Sequence, residues 1–126
     1  MPIVLVLHVG YGWIAAALGL KAVWLLAGAP WAANWLHAQT AGLSGTMILA
    51  VVTRVALGHT GRPLVVRPAI AVAYALVVAA ALVRVFGPAL LPLGAVHVLA
   101  CAAVLWAAAF AIFLVLYVPI LIAPRA

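Results

Sequence analysis

Long apolar runs, broken by glycine, proline and isolated polar residues, make up most of this chain. The first extends roughly from Ile3 to Leu26 and ends at Gly28 and Pro30. The second runs from about Asn34 to Gly58, and the third from Pro68 to Phe86, just before Gly87-Pro88. The fourth runs from about Leu93 to Val118 and is closed by Pro119. About 20 apolar residues cross a bilayer as a helix. Backbone groups in lipid must be satisfied internally, which favours helices. Strict apolar–polar alternation is absent, so a barrel does not fit. The pattern predicts an all-α polytopic membrane protein. It is a single domain over residues 1–126, a four-helix transmembrane bundle running up-down-up-down. Asn34 reads as an N-cap, Pro68 as a first-turn residue, and Trp31 and Trp35 suit a membrane interface.

Composition sharpens this. Hydrophobic residues make up 72% of the 126, against roughly 45–50% in soluble domains, leaving too few polar residues for a wetted surface. There are 6 Lys and Arg and no Asp or Glu. The net charge of +6 is spread thinly, unlike the dense patch of a nucleic-acid binder. No carboxylate is present to act as general acid, general base, proton relay or hard-metal ligand. The chemistry left is that of four histidines, one cysteine, two methionines and the hydroxyls. Cys101, being single, excludes a disulfide within the chain. Ala27-Gly28-Ala29 has the small-x-small form of a leader cleavage site. However, no cation precedes the apolar run, and Lys21 lies inside it. The run is therefore read as a retained span.

After four crossings, Arg62, Arg67 and Arg125 lie on one side, and Lys21 and Arg84 on the other. The positive-inside bias places both termini and the His59 loop in the cytoplasm.

The polar residues of the second run are not scattered. At about 100° per residue, His37, Thr40, Ser44, Met47, Val51, Arg54 and Gly58 fall within about 80° of one line. His59 lies just to its other side. Such a face is expected to point into a bundle, with Gly42 and Gly45 allowing a neighbour close approach. In the first run His8 shares a face with Gly12, Ala15 and Gly19, and in the fourth His97 shares one with Cys101, Val104 and Ala108. By depth the histidines sort into two candidate pairs, His8/His59 and His37/His97. Two histidines from different helices can hold a haem iron, and histidine with Cys or Met a copper ion. The plainer readings are an interface histidine bonded to a carbonyl, a packing role for Cys101 and Met47, and bonds from Thr40 and Ser44 to their own helix. Arg54 stands about one turn inside its span with no carboxylate to pair with. It either snorkels to the interface or takes an anion from outside the chain: a haem propionate, a lipid phosphate or a partner subunit. Arg62 and Arg67 can serve likewise at the surface.

The stretch from His37 to Leu64 carries a histidine, Thr40, Gly42, Gly45-Thr46-Met47, Thr53-Arg54 and then Gly58-His59-Thr60-Gly61-Arg62-Pro63. It resembles the NnrS family, and Leu7 to Tyr11 resembles that family's Leu-His-x-Gly-Tyr start. NnrS proteins are polytopic bacterial inner-membrane proteins described as binding haem and copper and linked to nitric oxide response and denitrification. Typical members are much longer, and this chain resembles only their C-terminal third, as a fragment or a small relative would. The resemblance implies haem b, with copper as the second candidate. It makes His37, Met47, Arg54, His59 and Arg62 the residues of interest. The cofactor set is then His8, His37, His59, His97, Arg54 and Arg62, with His37, His59, His97 and Met47 as metal ligands. The expected partners are the lipid bilayer and either further copies of the chain or an additional membrane subunit, with no nucleic acid. The alternative is a non-enzymatic membrane module, an assembly partner or anion-conducting bundle without cofactor. Direct catalysis is the less favoured reading, since no acid or base beyond histidine is present.

Overall fold

The computed structural model describes residues 2–124. Arg125, which counted toward the expected orientation, lies outside them. All elements among the described residues are helical or turns, with no strand. Helix α1 spans Pro2–Ala27, α2 Pro30–His59, α3 Pro68–Leu90 and α4 Ala95–Ile122, and each is long and apolar enough to cross a membrane. At about 1.5 Å per residue, the shortest, with 23 residues, reaches about 35 Å and exceeds the roughly 30 Å hydrocarbon core.

The connections are short, so neighbours run antiparallel. Helix α1 packs against α2 over the most extensive interface, α2 in turn against α3 and α4, and α3 and α4 share the next largest. The core forms two layers along the bundle. One gathers Leu49, Ala50, Ile70, Val77 and Tyr117, and the other Trp13, Ala17, Ala38, Ala81 and Val85.

Several helix ends differ from expectation. Helix α2 begins at Pro30 in a 3₁₀ turn through Asn34. A proline suits a first turn because its missing N–H would lack a partner there. Asn34 is therefore not a cap. Its side-chain amide donates instead to the Val85 carbonyl at 3.2 Å, tying α2 to α3. Helix α3 passes Phe86 and Pro88 to reach Leu90, and α4 passes Pro119 to reach Ile122. Proline removes its own bond to the carbonyl four residues back and crowds it, but with only two or three residues following Pro88 and Pro119 little helix is left to displace.

The larger difference is in α2. Residues Ala38–Ser44 form a π-helical stretch between the Trp35–His37 turn and the α-helix Gly45–His59. A π turn holds an extra residue, and each extra residue shifts the phase of the downstream helix by about 100°. His37, before the stretch, is thereby rotated off the line that Met47, Val51, Arg54 and Gly58 still share beyond it. His37 turns toward α3, and Met47 packs against Gly10 of α1. Thr40, Ser44, Val51, Arg54, Gly58 and His59 are exposed. The face that α2 buries carries Ala38, Gly42, Gly45, Thr46, Leu49, Ala50, Thr53, Ala56 and Leu57. The same holds elsewhere. His8, Gly12, Ala15 and Gly19 are exposed on α1, and His97, Cys101 and Val104 on α4. The expectation that the polar faces point inward is thus corrected. In lipid, apolar side chains gain little from leaving the exterior, and helices associate through close packing of small and complementary residues. The carboxylate-free core also offers Arg54 no counter-charge.

Candidate functional site

The Gly58–Pro63 segment forms the end of α2, and much of its chemistry is used in closing that helix. Gly61 adopts a left-handed conformation with φ 74°, which a residue without Cβ enters at no steric cost. Its N–H bonds the Gly58 carbonyl at 3.2 Å, and the Arg62 N–H bonds the Leu57 carbonyl at 3.0 Å. This pair of bonds is the Schellman closure of a helix, and Pro63 beyond it prevents continuation. The Thr60 hydroxyl, buried, donates to the Ala56 carbonyl at 2.7 Å. Arg62 reaches α4, where Nη1 donates to the Ile120 carbonyl at 3.4 Å. That carbonyl is one of the last in its helix and has no partner further along. Gly61, Arg62 and Pro63 thus have a structural account.

Arg54 and His59 have none. Both are exposed, and they line a common cleft of about 450 Å³ with Val55, Gly58 and Leu64. Neither side chain hydrogen-bonds within the described residues. Together they present an imidazole and a guanidinium on the outer face of α2, at the end of the bundle that also carries His8.

At the other end, His37 meets Arg84. Nη2 of Arg84 lies 2.7 Å from Nε2 of His37. Guanidinium only donates, so Nε2 accepts and the ring proton sits on Nδ1. His37 and Arg84 line a cleft of about 260 Å³ with Trp106 and small residues of α2, α3 and α4. Lys21 stands nearby in the fold, its Nζ 4.6 Å from the centre of the Trp35 ring.

The other expected residues are placed separately. Nδ1 of His8 lies 2.8 Å from the Val4 carbonyl of its own helix, and His8 does not line the cleft of His59. His97 is exposed and does not line the cleft of His37. Neither expected pair, His8/His59 or His37/His97, shares a cleft. Met47 packs against Gly10, and no group of three or more His, Cys, Asp or Glu side chains placed to hold a metal forms among the described residues. Thr40 and Ser44 bond the carbonyls of Leu36 at 2.9 Å and Gln39 at 3.2 Å, as expected of hydroxyls within a helix. Sequence pattern gives Arg84 no role, because its own run has no histidine. The matched depths of Arg84 and His37 in antiparallel spans are the signal that points to their meeting.

A family model described as NnrS protein matches residues 1–125. The chain belongs to the NnrS family. The likeness takes in the whole chain and is not limited to a C-terminal third. No curated protein and no solved structure matches. With four spanning helices, this NnrS chain is a multi-pass membrane protein. Arg54 and His59 are exposed at the end of α2. The structural members of the same segment, Gly61 and Arg62, set the loop that borders them.

Proposed function

We propose that this chain is a haem-binding membrane unit of the NnrS type, acting in the bacterial nitric oxide response or in denitrification from the inner membrane, with both termini cytoplasmic. The carrying observation is the cleft in which Arg54 and His59 stand exposed together without a structural task. A polar face turned outward in a spanning helix is costly and marks function. An imidazole and a guanidinium are the donor set for haem iron and for a propionate.

The fit is one-sided. Within the four-helix unit the space between helices is filled by Leu49, Val77 and their neighbours, and no two histidines share a cleft. His59 would therefore be the chain's own ligand to the iron, and a second ligand would come from another copy or an additional membrane subunit. Copper fits less well, because Met47 and His37 are each engaged elsewhere. When bound, haem supplies iron that coordinates nitric oxide. The chain's residues would hold and orient it: His59 would ligate, Arg54 would neutralise a carboxylate, and Val55 and Leu64 would keep water from that side.

Purification in mild detergent after expression with haem and copper, followed by oxidised and reduced spectra and metal analysis, tests this. A reduced α-band lost in His59→Ala and kept in His8→Ala is expected. A folded, helical protein that stays colourless would overturn it. The exposed polar face would then support the second reading, an assembly partner without cofactor.

A further inference from the structure

Beyond that reading, and at the opposite end of the bundle, we propose that the cleft between α2, α3 and α4 binds an oxyanion group of the phosphate type, held by Arg84 with His37 as its positioning residue. Arg84 uses one of its five N–H donors on His37. The chain has no Asp or Glu, so no carboxylate of its own can take the others. An unpaired guanidinium within a span is costly. The Nε2 contact fixes the plane of the fork, so less freedom is lost when a ligand arrives. The cleft beside it, about 260 Å³, is walled by Trp106 and by Ala41, Ala80 and Ala103, whose small side chains leave the guanidinium reachable. The other cation at this end, Lys21, rests on Trp35. Arg84 is therefore the charge left for a ligand.

The same chemistry is offered by a phospholipid headgroup and by a free oxyanion. The full chain, without haem, in a phosphate-free maltoside detergent separates them. Trp106 lines the cleft, and its emission, isolated by comparison with Trp106→Phe, reports occupancy. One arm adds inorganic phosphate and the other a short-chain phosphatidylglycerol. A saturable change is expected in at least one arm, naming the source. Binding should weaken about tenfold or more in Arg84→Gln, the loss of a charge-assisted bond. It should weaken also in Ala103→Leu, which fills the cleft without removing a polar group. His59→Ala should leave it unchanged. No response to either probe in a helical protein, or a response equal in Arg84→Gln, would overturn the proposal. Because the protein is haem-free, either result stands apart from the cofactor reading.

Discussion

The ring of Trp13 on α1 occupies the space where a Cβ on residue 42 of α2 would stand, so the two helices meet through a glycine. Gly42 lies inside the π-helical stretch Ala38–Ser44, and the ring seats where α2 changes phase. Gly42→Ala should destabilise the bundle by about 1–3 kcal/mol, the range for overpacked sites. Unfolding in SDS followed by far-UV circular dichroism measures it. Adding Trp13→Leu should recover part of the loss. If the double variant is no better than Gly42→Ala alone, the contact is not what requires glycine.

Gly61 closes α2 with φ 74°. A Cβ in that conformation costs about 1–2 kcal/mol. Gly61→Ala should lower stability by that order, and Gly61→Asn by less, since asparagine tolerates the left-handed region. Equal losses in the two variants would mean that something other than backbone conformation selects glycine here.

Two buried threonines of α2 should respond oppositely to valine. Thr53 donates to the Leu49 carbonyl at 2.7 Å, whereas the Thr46 hydroxyl is buried with no partner. Thr46→Val removes a desolvated polar group and should leave stability unchanged or raise it by about 1 kcal/mol. Thr53→Val should lower it by about 0.5–1 kcal/mol. Comparison of the two unfolding midpoints decides the matter, and a loss in Thr46→Val would reveal a partner for that hydroxyl.

Arg84 and His37 join α3 to α2 across 2.7 Å. A hydrogen bond to a charged group contributes about 1.5–3 kcal/mol when buried, and this pair is only half-buried. A double-mutant cycle over Arg84→Gln and His37→Phe should therefore give a coupling of about 1 kcal/mol. Additive losses would show that the two side chains act independently.

Arg54 supplies a test of orientation of the polar face. Arg54→Leu should leave the free energy of unfolding within about 0.5 kcal/mol, as for an exposed substitution away from packing. The same variant should reduce haem retention if the guanidinium meets a propionate. A large loss of stability in haem-free protein would place Arg54 inside the packed unit instead.

The four spans, their order and the helical class are legible from run length and composition, because hydrocarbon thickness and the need to satisfy every backbone group leave few solutions. Helix ends are legible where glycine or proline alters the backbone before or after the helix, as at Gly28, Gly61 and Pro68. They are not at Pro88 and Pro119, each of which is accommodated inside the last turn of its helix.

Which way each face points was decided by the tertiary structure. Periodicity places His37, Met47 and Arg54 on one line, but the π-helical stretch rotates His37 toward α3, and of the two that stay together on Gly45–His59, Met47 meets Gly10 of α1 while Arg54 is exposed. A sequence projection assumes a constant turn, and one wider segment breaks that assumption. Nor does hydrophobicity choose the buried face in lipid, where leucine is as well accommodated outside as inside. Packing chooses it, through pairs such as Trp13 with Gly42 and Asn34 with Val85. Composition alone established a membrane protein without carboxylates. The meeting of Arg84 with His37, and the exposure of Arg54 beside His59, came from how its helices pack.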